Sequence, residues 1–211
     1  MEKKELSMQK TYRFRENFAR DYLQDFRILL NMTEDKLIDS LDEIIPVLYE
    51  ARDAHRTIFI IGNGGSAATA SHFAGDLSKA TICEGFPRFK AISLTDNIPS
   101  MLAWANDKEY DDIFVEQLKN FMEPDDIVIG ISGSGNSKNI IKALDFANNH
   151  GGITIGFSGY DGGNLLQTAQ KNIHVPSYSM QQVEDLHLLI EHLLTSLIKE
   201  EQECNLHQNK R

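Results

Sequence analysis

Hydrophobic positions change their rhythm along this chain. Over Phe14–Leu30 the residues Phe14, Phe18, Tyr22, Phe26 and Leu29 recur at helical spacing. A break at Asn31-Met32-Thr33 separates them from a second helical pattern, Leu37, Leu41, Ile44, Ile45 and Leu48, in which Pro46 is placed to kink the helix. Both stripes read as core or oligomer contacts. From Thr57 onward, short apolar runs alternate with helical stretches. Thr57–Gly62, Lys90–Leu94, Asp126–Ser132, Ile153–Phe157 and Asn172–Val175 are short, β-branched and continuous, as strands covered on both faces should be. Between them, Ser66–Lys79, Ser137–Asn149 and Asn164–Gln170 read as helices, and Asn97–Phe121 as two short ones. A last helix follows Pro176-Ser177-Tyr178-Ser179 and carries Val183, Leu186, Leu189, Ile190, Leu193, Leu194 and Leu197; beyond Lys199 the polar tail is expected to fray.

Strand–helix alternation predicts an α/β fold with one doubly wound, five-stranded parallel sheet. The whole chain, 1–211, reads as a single domain: a helical segment 1–56, an α/β core 57–199 and a polar tail 200–211. No internal repeat or linker interrupts it.

Composition narrows the function classes. With 211 residues and 41% hydrophobic composition the chain can bury a core, and no apolar run approaches the about 20 residues that span a bilayer. The first ten residues hold no apolar segment that would serve as a signal peptide. Cys83 and Cys204 are far apart and in no CxxC spacing, which predicts neither a disulfide framework nor a thiolate metal site and suits a reduced cytoplasm. A net charge of −10 argues against general nucleic-acid binding. It leaves room for a small anion, because backbone amides at helix N-termini hold phosphate without a basic surface.

Two segments fit that chemistry. The first strand ends in Gly62-Asn63-Gly64-Gly65-Ser66-Ala67-Ala68 and the third in Ser132-Gly133-Ser134-Gly135-Asn136-Ser137, and each leads into a helix. In an open parallel sheet, ligands bind at the carboxyl ends of strands where the strand order reverses. The plainer reading is two tight turns with Ser66 and Ser137 as N-caps. A dinucleotide fingerprint, Gly62-x-Gly64-x-x-Ala67, also fits the first loop. Its acidic partner is out of register, however, with Asp96 too far along, and it leaves the second loop unexplained. Elsewhere, His72 and Asp76 lie one helical turn apart, and the last helix carries Glu184, Asp185, His187, Glu191 and His192 among leucines. Spacing alone does not lift either group above surface pairs or core histidines.

Taken together, Asn63-Gly-Gly-Ser66, Ser71-His72-Phe73-Ala74, Ala105-Asn106-Asp107, Ile131–Ser137, Gly159-Tyr-Asp-Gly-Gly163, Val183-Glu-Asp-Leu-His187 and His192 resemble a sugar isomerase (SIS) domain, closest to the phosphoheptose isomerases. The resemblance spans roughly Phe14–Lys199. It implies a sheet of order 2-1-3-4-5 and a homotetramer with sites between subunits. The implied reaction is the interconversion of sedoheptulose 7-phosphate and glycero-manno-heptose 7-phosphate through an enediol. It implies one zinc ion held by His72, Asp76, Glu184 and His192, with Asp76 as base and His192 as its partner. The implied substrate contacts are Asn63, Gly64, Gly65, Ser66, Asp76, Asn106, Asp107, Ser132, Gly133, Ser134, Ser137 and Glu184.

This chain departs from the family pattern at several positions. Asp76 stands where Glu is usual, Glu184 where Gln is, Gly133 where Thr is, Thr69 where Asp is common and Gln182 where Arg is common. Glu184 adds negative charge, which favours a divalent cation. Glu184 and His192 are separated by about 12 Å along a helix axis, which argues that ligands for one ion come from two chains. The same fold serves non-catalytic relatives that act through protein partners, such as replication-initiator-binding members. Those lose the metal constellation, whereas four potential ligands persist here.

Overall fold

The computed structural model describes residues 2–209, with side chains for 12–206. The chain forms two compact units, one up to Asp35 and one from Lys36. Helix α1 runs Glu2–Asp53 without interruption, so the expected break at Asn31–Thr33 does not occur. The physical reason is local. Those residues include no Gly or Pro, and the Thr33 hydroxyl donates to the Leu29 carbonyl at 3.0 Å, which keeps its polar group satisfied inside the helix. In the first unit Phe14 and Phe18 stack on each other, 6.3 Å between ring centroids, and both are exposed.

In the second unit the strands are β1 (Thr57–Gly62), β2 (Lys90–Ser93), β3 (Ile127–Ser132), β4 (Ile153–Ser158) and β5 (Lys171–His174). They form one parallel sheet of order β2-β1-β3-β4-β5, as the alternation and the resemblance imply. The order reverses between β1 and β3, so the loops that follow these two adjacent strands open side by side. The helices are α2 (Gly65–Lys79), α3 (Ile98–Asp107), α4 (Val115–Phe121), α5 (Lys138–Asn149), α6 (Leu165–Thr168) and α7 (Met180–Asn209), with a 3₁₀ turn at Tyr110–Asp112.

Alternation along the central strands builds two cores. Phe59, Ile61 and Val128 face Leu118 of α4, Ile140 and Leu144 of α5, and Leu165 of α6. Phe157 meets Phe73 of α2 and His187 of α7, at 6.2 and 5.7 Å between ring centroids. The stripe Leu37, Leu41, Ile44, Ile45 and Leu48 is buried, as core. Strand β2 departs from the two-faced burial expected of every strand: it is an edge strand, and Ile92 is half exposed. The polar tail departs too, since α7 continues to Asn209. Gln202 is buried there, accepting from Arg52 Nη1 at 2.9 Å and donating to the Thr81 carbonyl at 3.1 Å, so long-range bonds hold the helix where local composition would let it fray.

His187 is fully buried on α7, with Nε2 donating to the Ser158 carbonyl at the end of β4, 3.2 Å away. Burial pushes its pKa from 6.5 down to about 4, partly opposed by that hydrogen bond. The folded state therefore resists protonation that the unfolded chain accepts. This stability is complete above pH 6.5 and is lost as pH falls toward 4. Denaturant titration should show the protein losing about 3 kcal/mol more between pH 7 and pH 4 than a His187→Gln variant. Parallel curves for the two proteins would show that His187 does not control acid stability.

Candidate active site between two strand–helix loops

Gly64 joins β1 to α2 at φ 54°, ψ −122°, a conformation that side-chain-bearing residues avoid, and the space beside its Cα is open. Helix α2 has no side-chain cap; the first amide to bond back onto the loop is that of Ala67, to the Asn63 and Gly64 carbonyls. The earlier first-turn donors are left facing the cavity, with the positive end of the helix dipole. At the second loop Ser137 occupies the N-cap of α5, but its hydroxyl makes no cap bond and instead accepts from Ser132 Oγ at 3.1 Å. Neither Ser66 nor Ser137 caps its helix, so the plainer reading does not account for them.

The two loops are tied to each other. Asn63 and Asn139 exchange reciprocal amide hydrogen bonds of 2.9 Å, and the Tyr110 hydroxyl donates to Asn63 Oδ1 at 2.9 Å. Between the loops lies a cavity of about 230 Å³. Asn63, Gly64, Gly65, Ser66, Ser132, Gly133, Ser134, Ser137 and Glu184 line it together with Ile131 and Met180. A second cavity of about 250 Å³ adjoins it at Gly65 and Glu184 and reaches Thr69, His72, Asp185 and Leu188. Neither wall includes a lysine or arginine, so an anion held here must rest on amides and hydroxyls. Asn106 and Asp107 line neither cavity; they lie at the end of α3, where Asn106 Nδ2 donates to Asp107 Oδ1 at 2.8 Å.

The packing of α2 against α7 gathers a second set of groups. His72 Nε2 is 3.8 Å from Asp76 Oδ1, His72 Nδ1 is 3.9 Å from Glu191 Oε2, and His192 Nε2 is 3.5 Å from the same oxygen. The two imidazole rings stand edge to face, 4.9 Å between centroids. His72, Asp76 and His192 thus meet within one chain, and no second chain is needed to bring them together. Glu184 lines the cavity that reaches His72, and its carboxylate lies over Gly65, where an added Cβ would come within 2.5 Å of it.

Glu191 is the residue that sequence reasoning named without giving it a role. It is fully buried, no N–H is bonded to its oxygens, and its hydrogen-bonding neighbour is the Asp76 carboxyl. Burial, with the negative charge of Asp76 adding to it, pushes its carboxyl up to about 8. A signal was present: Glu191 falls on the same helical stripe as the buried Val183, Leu186, Ile190 and Leu194. A charged residue on a core stripe points to a partner. Asn139, Tyr110 and Met180 were missed as well, and only Asn139, beside the second loop, carried any local hint.

A SIS domain model matches residues 21–159. The phosphoheptose isomerase of Trichlorobacter lovleyi is 36% identical over 185 residues, covering 88% of this chain and 94% of that protein. That of Halorhodospira halophila is 39% identical over 170 residues, covering 76% and 85%. The solved structure of phosphoheptose isomerase from Neisseria gonorrhoeae shares the fold, with a TM-score of 0.81 at 24% identity over 88% of this chain and 98% of that one. With sheet order, loop geometry and relatives in agreement, the chain belongs to the SIS domain family, alongside the phosphoheptose isomerases.

Proposed function

We propose that this chain is a sugar-phosphate aldose–ketose isomerase that interconverts sedoheptulose 7-phosphate and glycero-manno-heptose 7-phosphate. The observation that carries the reading is the pair of adjoining cavities: one is walled by unpaired helix amides and serine hydroxyls, and the other leads to His72. The phosphate sits between the two loops, held by the Gly65 end of α2 and by Ser134 and Ser137. The polyol passes Glu184, which accepts hydrogen bonds from its hydroxyls. The carbonyl end then lies toward α2 and α7.

There Asp76 takes the proton from the carbon beside the carbonyl and returns it to the neighbouring carbon, while His192 moves the hydroxyl proton between the two oxygens. Each step conserves the substrate's atoms, and the intermediate is an enediol. The ligand atoms of His72, Glu191 and His192 lie within 4.8 Å of one another, which suits a divalent cation. Zinc would be held by His72, Asp76 and His192 with a carboxylate from α7, and when bound it polarises the carbonyl.

We place the enzyme in the cytoplasm as a homotetramer. Exposed Phe14, Phe18, Leu23 and Met32 on α1 and Leu189 and Leu193 on α7 support an assembly, because apolar surface on this scale marks interfaces. Both cysteines are free, and among the described residues no helix is long and apolar enough to cross a membrane.

Incubation with sedoheptulose 7-phosphate in deuterated buffer tests the activity: aldose should appear carrying deuterium at C2. Tight binding without turnover would instead make the chain a sugar-phosphate-binding regulator. Ser134→Ala and Ser137→Ala should each weaken sugar-phosphate binding by roughly 1–3 kcal/mol, the worth of a charge-assisted hydrogen bond, at unchanged thermal stability. Calorimetric titration reads this directly, and unchanged affinity in both variants would remove the two-loop phosphate site.

A further inference from the structure

A backbone N–H can only donate a hydrogen bond, and one such group settles which way a side chain at the phosphate cavity is turned. The Ile140 amide, which also bonds the Ser137 carbonyl, donates to Asn139 Oδ1 at 3.0 Å. That fixes which end of the buried Asn139 carboxamide is oxygen. Its Nδ2 then donates to Asn63 Oδ1, and Asn63 Nδ2 donates back to Asn139 Oδ1, each at 2.9 Å. The Tyr110 hydroxyl donates to the same Asn63 Oδ1, also at 2.9 Å. Both lone pairs of the Asn63 oxygen are thereby occupied, while one of its two Nδ2 hydrogens is used by none of these bonds. Asn63 lines the cavity between the two loops. Turned the other way, its carboxamide would offer oxygen to an anion; held this way, it offers a donor.

Tyr110 is 54% exposed and adds little to the core, yet its hydroxyl reaches back to the loop after β1. Helix α5 holds it there. Lys142 of α5 grips the 3₁₀ turn on both sides of Tyr110, 3.0 Å from Glu109 Oε1 and 2.7 Å from Asp112 Oδ1. Building on the phosphate site between the two loops, we propose that Tyr110 is a positioning residue. With Asn139 opposite it, Tyr110 locks the Asn63 carboxamide so that its oxygen is occupied and an N–H is left for the phosphate of the sugar. The lock favours phosphorylated over neutral sugars without a lysine or arginine in the cavity wall.

Equilibrium titration of the full chain with inorganic phosphate tests this, and needs no isomerase activity. Tyr110→Phe removes one hydroxyl from an exposed ring. It should raise the Kd for phosphate about three- to tenfold at unchanged melting temperature. With sedoheptulose 7-phosphate, KM should rise by the same factor while kcat stays within about twofold, because phosphate is gripped equally in the ground and transition states. In an Asn63→Ala background the same substitution should have no further effect, since nothing is left to orient. If its full effect persists there, Tyr110 acts on the ligand directly or through the fold, and the proposal is overturned. Unchanged phosphate affinity in Tyr110→Phe, with affinity lost in Ser134→Ala, would also overturn it while keeping the two-loop site. No phosphate binding by the wild type would instead remove the two-loop site and the role of Tyr110 with it.

Discussion

Replacing Asp76 with asparagine should lower kcat for sugar-phosphate isomerisation by about 10²–10⁴-fold while KM stays within a few-fold of the wild type. The change is nearly isosteric, so packing at the α2–α7 contact is retained, but the amide cannot accept a proton. Asp76 follows His72 by one helical turn and is only partly exposed, 28% for its side chain, which keeps it within reach of solvent and ligand while limiting competing water. The neighbouring Glu191 is fully buried whereas Asp76 is partly exposed, so the role falls to Asp76. Zinc content should be measured alongside the kinetics, since Asp76 also borders the proposed metal site. A fully zinc-loaded variant with kcat down at least a hundredfold supports proton transfer by Asp76. Retention of more than a tenth of the activity would place the base elsewhere.

Gly135→Ala should destabilise the fold by about 3–5 kcal/mol, a drop of roughly 10 °C in melting temperature for a chain of this size. Two effects combine at this position. Gly135 has φ 66°, where a Cβ is strained, and an added Cβ would fall on the Gly162 carbonyl, a backbone atom with little freedom to move. The crowding reflects how the second loop is held. The Leu165 amide donates to the Gly135 carbonyl at 2.9 Å, the Gly159 amide to the Gly133 carbonyl at 3.0 Å, and the Asn164 amide to Asn136 Oδ1 at 3.1 Å. The loop after β4 therefore braces the phosphate-facing loop after β3, and pushing them apart should also weaken sugar-phosphate binding. Gly75→Ala is the matched control: it lies within α2 with nothing inside 4 Å of the new methyl, and should be neutral or stabilise by up to about 1 kcal/mol. Equal melting temperatures for Gly135→Ala and the wild type would show that the two loops do not brace each other.

The sequence by itself determined the positions of the central strands, because a strand buried on both faces must be a continuous apolar run; Ile58–Ile61 and Ile127–Ile131 are legible for that reason. It also marked the two loops, since Gly and Ser recur after two strands and before two helices. Tight turns with serine caps read the same way until the structure showed that neither serine caps its helix. Strand order came from the ordered set of motifs rather than from periodicity. What sequence missed shares one cause, which is that burial depends on what arrives from elsewhere in the chain. Ile92 reads like its neighbours in β1 and β3 but lies on an edge strand. Gln202 looks like tail until Arg52 and Thr81 reach it. Glu184 and Glu191 are both acidic residues on α7, and composition gives no ground for choosing between them. Tertiary packing separates them: α2 buries Glu191 beside His72, whereas Glu184 lies over a glycine at the mouth of the phosphate loop. A carboxylate's chemistry follows from its surroundings, and those surroundings exist only once the two helices have met.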